Sequence, residues 1–442
     1  MHSLDALIQG QGPALYRRAR GLIPGGTQLL SKRPEMFAPE VWPAYYSRAK
    51  GARVWDLDGR EYLDMSIMAV GACILGYADD EVDDAVVAAI RGGVNASLNC
   101  PEEVALAEAL IELHPWFGMV RYARSGGEAM GMAVRIARAH TRRDVVLFSG
   151  YHGWNDWYLA ANLGETDALD GQLMAGLQPA GVPRGLAGTA IPFQVNDIES
   201  LRAAVRGRED RIAAIVIEPA RGEDAPDQYL RALRETASEL GAVLVFDEIT
   251  SGFRMCAGGI HRRYGIHPDI AVFAKSMANG YAMATVLGTE AVMQAAQTTF
   301  ISSTNWTDRV GPTAALATLR KYRREQAETR LIALGQRCQR IWTDAAARAG
   351  LTIRISGLPT LAAFGFDHPQ AVALNTRFTI EMLRRGILGF RQFKASLAHA
   401  DADLDQYATA CDEVFGLLAG LSPADLLSTP PHHSGFQRLT RE

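Results

Sequence analysis

The chain has 442 residues, 48% hydrophobic and 21% charged, a globular composition that excludes a disordered or fibrous protein and suffices for two or three lobes. Lys and Arg (45) against Asp and Glu (49) leave a formal charge of -4, which offers no basic field for nucleic acid or an anionic membrane. The five cysteines, Cys73, Cys100, Cys256, Cys338 and Cys411, form no C-x-x-C pair or disulfide framework and read as thiols in a reducing cytosol.

The N-terminal stretch MHSLDALIQGQGPALYRRARGLIPGG lacks the apolar core of a signal peptide, and no later window of about eighteen residues is apolar and uncharged. The expectation is a soluble, cytoplasmic protein with small-molecule or protein partners. Further along, apolar runs of strand length alternate with helical patterns. MVRYA (119–123), VVLFS (145–149), AAIVI (213–217), AVLVF (242–246) and DIAVFA (269–274) are the runs, and GMAVRIARAHT (131–141) and LRALRETASEL (230–240) carry the helical spacing. That order predicts an α/β fold with a mostly parallel sheet between helices, and ligands beyond the carboxyl ends of its strands. The helix-rich stretch 317–349, then LTIRISGLPTLAAFGF (351–366) and DADLDQYATACDEVFGLLAG (401–420), reads as a smaller α+β lobe. Residues 424–442 read as an irregular tail.

Three strand ends are unusual. After the first, Ser125, Gly126 and Gly127 open a helix with free N–H groups that suit a phosphate, although Ser and Gly also serve as ordinary caps. The second ends in SGYHGW (149–154), where Tyr151 and His152 are candidates for contact with a flat ring or are packed loop side chains. The fourth, an apolar run, stops on Asp247 and Glu248, residue types that resist leaving water. A carboxylate held there keeps a pyridine nitrogen protonated and makes the ring an electron sink. Lys275 directly follows the fifth run, a place where a merely solvated lysine has no special reason to sit, and it suits Schiff-base chemistry with an aldehyde.

The motifs SGGEA, YHGW, IEPA, FDEITSGFR and AKSMANG resemble the class III aminotransferases of the pyridoxal-phosphate fold-type I superfamily, nearest the glutamate-1-semialdehyde aminomutase branch. The likeness extends to IPGG (23–26), VWDLDGREYLD (54–64), AGVPRG and SLAHADADLD, and so covers nearly the whole chain. It implies pyridoxal 5'-phosphate as cofactor, a seven-stranded sheet in a large domain (67–318), and a small domain built from 1–66 and 319–442. It also implies a homodimer with active sites at the subunit interface. By the same resemblance Lys275 holds the cofactor aldehyde, Asp247 the pyridine nitrogen, and Ser125 and Gly126 the phosphate. Tyr151 stacks on the ring with His152 beside it, Ile249 packs on the other face, and Glu218 lies near the cofactor hydroxyl. A threonine crosses the interface to the phosphate; Thr307, five residues before Pro312, is the first candidate and Thr304 the reserve.

The departures bear on substrate. Gly127 stands where the family has a hydroxyl residue, Leu29 and Lys32 where the aminomutases carry Ser and Arg, and no Trp follows YLD. Arg391 falls where they place an acid near the substrate amine, and reads either as a clamp for an anionic group or as a surface residue. The expected activity is transfer of an amino group from a small amino acid or amine to an acceptor through Lys275. Aminomutase, lyase and epimerase outcomes stay open, because they differ in pocket and substrate and share the cofactor constellation. A cofactor-binding sensory or scaffold module is the reading from another class. Intact Lys275 and Asp247 argue against it.

Overall fold

The computed structural model describes residues 1–165, 167–172, 174–220, 226–427 and 429–436. It divides into two compact units, Asp80–Glu328 and the pair Met1–Asp79 with Thr329–Glu442. These limits lie 13 and 10 residues beyond the 66/67 and 318/319 boundaries expected from sequence (79 - 66 and 328 - 318). The helix Val310–Arg324, which packs on the helices Asp80–Arg91 and Pro101–Leu113, accounts for the second shift.

The unit 80–328 is built on seven strands: β1 (Met119–Ala123), β2 (Val145–Ser149), β3 (Ala190–Pro192), β4 (Ile212–Ile217), β5 (Val243–Asp247), β6 (Ile270–Phe273) and β7 (Ala284–Gly288). Their order is β1-β7-β6-β5-β4-β2-β3. Only β7 runs against its neighbours, β1 and β6; the other pairs are parallel. Strands β2, β4, β5 and β6 are buried along their whole length, as continuous apolar runs must be when helices cover both faces. The edges differ: β1 is mostly half-buried, and β3 has three residues and ends on Pro192, which limits further pairing.

Alternation along the strands sorts side chains into two cores. Val146, Phe148, Val216, Val245 and Val272 meet Ala129, Ala133 and Ile136 of the helix Gly126–Thr141 on one face. Leu147, Ile215, Leu244 and Phe246 meet Leu230, Leu233 and Ala237 of the helix Asp227–Leu240 on the other. Strand β5 ends one residue later than its apolar run suggests, because Asp247 pairs in register with Val272 of β6. The acid is thereby part of the ladder and its position is fixed.

In the other unit, Tyr46–Lys50, Arg53–Asp56 and Glu61–Met65 form an antiparallel sheet that Ile387–Gly389 joins in parallel. The hairpin Ile353–Ser356 and Leu361–Phe366 pairs with Gln392–Lys394. The expected irregular tail is more ordered than its sequence indicates where it is described: Pro423–Leu427 is a short helix, and the His432 N–H donates to Thr376 Oγ1 at 2.9 Å. Residues 428 and 437–442 of that tail lie outside the described residues. No helix among the described residues is long and apolar enough to cross a membrane.

Candidate active site

The carboxyl ends of β2, β4, β5 and β6 bring together a chain of polar contacts. Asp247, 4% exposed, accepts from the Ile249 N–H at 3.1 Å through Oδ1, and its Oδ2 lies 2.9 Å from His152 Nδ1. The buried His152 has its other ring nitrogen 3.1 Å from the Ser149 carbonyl, so the imidazole ties the end of β2 to the end of β5. From the same loop the Tyr151 N–H donates to Glu218 Oε2 at 3.1 Å, and the Tyr151 ring meets Tyr158 edge-on at 5.8 Å. Gly150 is required at this turn: its φ is +112°, and a Cβ there would sit 2.7 Å from Glu218 Oε2.

Lys275 begins the short 3-10 turn after β6 and is half-buried. Its Nζ donates to Thr250 Oγ1 at 2.8 Å, which binds it to the loop leaving β5. The backbone of Lys275 has φ +45°, a left-handed conformation costing a non-glycine residue about 1–2 kcal/mol, which the surrounding structure must hold in place.

At the start of the helix Gly126–Thr141, Ser125 and Glu128 form a reciprocal cap. The Ser125 N–H donates to Glu128 Oε2 at 2.9 Å, and the Glu128 N–H to Ser125 Oγ at 3.4 Å. That leaves the amides of Gly126 and Gly127 without an acceptor among the described residues. Side chains at both glycines would be crowded. A Cβ on Gly126 would lie 2.8 Å from Ile249 Cδ1, and one on Gly127 would lie 3.0 Å from Trp154 Nε1. Ile249 thus bridges Asp247 to this helix end.

Thr304 and Thr307 are exposed on a 3-10 turn, where Thr307 Oγ1 donates to the Thr304 carbonyl at 2.9 Å. Arg124 anchors that turn, donating to the carbonyls of Trp306 and Asp308 at 2.8 Å each and pairing with the Asp308 carboxylate. Lys32 and Arg391 belong to the other unit. Lys32 is exposed, and so is Leu29. The Arg391 guanidinium lies over the Phe390 ring at 5.7 Å, its Nε has no partner among the described residues, and burial lowers its pKa.

Glu248 separates from Asp247 in role. Fully buried, it accepts from Ser251 Oγ at 2.6 Å, the Ile260 N–H at 2.9 Å and the His261 N–H at 3.1 Å, and lies 2.7 Å from His261 Nδ1. These bonds hold its carboxyl below the usual range against the opposing effect of burial, and close the loop 249–261. Sequence reasoning missed Thr250, Trp154, Glu128 and Arg124. Only Glu128 carried a readable signal, the Ser-x-x-Glu spacing of a capping box. The donor set suits a phosphorylated pyridine aldehyde: an amine for the aldehyde, a buried carboxylate for the ring nitrogen, and two open amides at a helix start for the phosphate.

A model of the family "Aminotransferase class-III" matches residues 36–407. The 3-aminobutyryl-CoA aminotransferase of Cloacimonas acidaminovorans (strain Evry) is 32% identical over 413 residues, covering 90% of this chain and 95% of its own. The glutamate-1-semialdehyde 2,1-aminomutase of Syntrophus aciditrophicus (strain SB) is 31% identical, with 92% and 98% covered. Among solved structures, the FumI protein of Sphingopyxis sp. MTA144 in its PLP internal aldimine form superposes with a TM-score of 0.85 at 27% identity, over 96% of this chain and 99% of that one.

Proposed function

The chain belongs to the class-III aminotransferase family, and on that premise we propose that it is a pyridoxal-phosphate-dependent aminotransferase acting on a small amino acid or amine, with Lys275 and Asp247 as its catalytic pair. The observation that carries this is the joint placement of the Lys275 amine and the Asp247 carboxylate at the carboxyl ends of adjacent strands, each held by its own hydrogen bond. When bound, the cofactor supplies an aldehyde carbon and an electron-accepting ring. Lys275 Nζ would hold the aldehyde and, as the free amine, would move a proton at the substrate carbon. Thr250 orients that amine. Asp247 would keep a proton on the ring nitrogen, and the Ile249 N–H and His152 hold the carboxylate in place for it. Tyr151 and Ile249 would flank the ring, Glu218 would lie near its hydroxyl, and Ser125 with Gly126 and Gly127 would form the phosphate end.

The same reading has a cytoplasmic homodimer in which Thr307, or Thr304 in its place, reaches the partner's phosphate; the exposed position of both supports it. Arg391 is assigned to an anionic group of the substrate, with Lys32 as a second cation. Aminotransfer is favoured over glutamate-1-semialdehyde isomerisation because Leu29 cannot hydrogen bond, Lys32 offers no planar fork, and Arg391 reverses a charge. The test is absorbance: protein loaded with pyridoxal phosphate is titrated with L-alanine, L-glutamate and β-amino acids in turn. Bleaching by at least one donor, with an oxo product released, is expected. Efficient formation of 5-aminolevulinate from glutamate-1-semialdehyde would overturn the preference for aminotransfer.

A further inference from the structure

Gly127 is the second residue of the helix Gly126–Thr141, and its backbone φ lies outside the left-handed region that would demand glycine. What crowds a side chain there is Trp154. A Cβ at 127 would meet Trp154 Nε1 at 3.0 Å and Cδ1 at 3.2 Å, so the edge of the indole that bears the N–H is the edge turned to the helix start. Two features hold the loop that carries it against the helix start. Gly153, with φ +99°, lets the loop approach so closely that its own Cβ would lie 3.1 Å from Gly127 Cα, and Asn155 Nδ2 donates to the Gly127 carbonyl. Trp154 is nevertheless 67% exposed, which is unusual for so large an apolar side chain held by its neighbours.

An indole N–H only donates. It lies where a side chain on Gly127 would begin, on a helix whose Gly126 and Gly127 amides also only donate and have no acceptor among the described residues. Two open amides at the positive end of a sixteen-residue helix, with an indole N–H at the place a side chain on Gly127 would take, suit an anion. We propose that the Trp154 indole N–H is a ligand of the cofactor phosphate, occupying the place that a side chain at position 127 would otherwise take. This rests on the function proposed above and adds to it a specific phosphomonoester donor. The Trp154 side chain, added to the open amides of Gly126 and Gly127, then compensates for the hydroxyl that Gly127 lacks.

Trp154→Phe keeps the aromatic bulk and removes the donor. Binding of pyridoxal phosphate and of unphosphorylated pyridoxal is measured by absorbance and by quenching of intrinsic fluorescence. The variant should bind pyridoxal phosphate about tenfold more weakly, as loss of one hydrogen bond to a charged group implies, with pyridoxal affinity within about twofold of wild type. Gly127→Ser added to Trp154→Ala should recover most of the loss, because the hydroxyl then enters the vacated space. Equal affinity of wild type and Trp154→Phe for pyridoxal phosphate would overturn the proposal and leave the aminotransferase reading intact. A double variant weaker than Trp154→Ala alone would also overturn it. Failure of the wild-type protein to take up pyridoxal phosphate at all would instead sink the functional reading and this inference with it.

Discussion

Replacing Asp247 with Asn keeps the size of the side chain and its bond from the Ile249 N–H but removes the negative charge beside His152. Turnover should fall by roughly 10²-fold or more while cofactor affinity changes little, since the charge is needed by the transition state and not for holding the phosphate. Normal turnover in Asp247→Asn would place the electron-sink role elsewhere. Glu248→Gln makes the opposite prediction. It keeps the charge of Asp247 but weakens a buried carboxylate that satisfies Ser251, Ile260 and His261, so unfolding should become easier by about 3 kcal/mol while kcat per folded molecule falls far less than in Asp247→Asn. Lys275→Ala should abolish borohydride-reducible attachment of the cofactor, and a persistent adduct on another lysine would refute the assignment. Asp247 and Lys275 were legible in the sequence because a charge following a buried strand is anomalous by itself. That Asp247 and Glu248 divide their work was not, because the partners of Glu248 lie up to thirteen residues on and depend on how the loop closes (261 - 248). Thr250 and Trp154 were hidden for the same reason: nothing local in their sequence marks which group each will face.

At the level of elements, four of the five apolar runs that read as strands are buried on both faces, which requires uninterrupted apolar sequence, and the fifth, Met119–Ala123, is a half-buried edge strand. The two strands not read from periodicity lacked that signal. Ala190–Pro192 has three residues, and Ala284–Gly288 is a short run of mostly small residues whose antiparallel pairing with both neighbours supplies the order that its side chains do not. The helix predicted over 131–141 starts at Gly126, five residues early (131 - 126), because its first turn is held by the Ser125–Glu128 cap and not by apolar periodicity. Glu128→Ala should therefore cost about 1 kcal/mol of stability and also loosen the phosphate cup, since Glu128 Oε2 accepts from the N–H groups of Arg124 and Ser125 and from Ser125 Oγ. Thermal unfolding and the dissociation constant for pyridoxal phosphate check the two parts separately. A fall in melting temperature with unchanged cofactor affinity would show that the cap serves the helix alone.

For the molecule as a whole, the pH dependence of stability has one well-defined source in His114. It is fully buried, and its surroundings are arranged for a neutral ring: Nδ1 donates to the Leu110 carbonyl at 2.9 Å, and Nε2 accepts from the Gly259 N–H at 3.1 Å. Protonating Nε2 turns that acceptor into a second donor facing a donor. Burial is the main cause that pushes the imidazole down to about 4, with His261 and Arg262 adding to it and the Leu110 bond and Glu248 opposing. The folded pKa lies below the unfolded value, so the unfolded chain binds the proton first as pH falls. The contribution is complete above pH 6.5 and is lost progressively as pH falls towards about 4, amounting to at most about 3 kcal/mol at 1.36 kcal/mol per unit. Because His114 follows the helix Pro101–Leu113 and reaches the loop that Glu248 closes, its titration loosens the support beneath β5 and β6. Denaturant melts of the wild type at pH 7.5 and 5.0 should differ clearly, whereas His114→Gln, which retains a donor and an acceptor but cannot titrate, should show a much smaller difference even if it is less stable at pH 7.5. An equal drop in both proteins would assign the acid sensitivity to other groups.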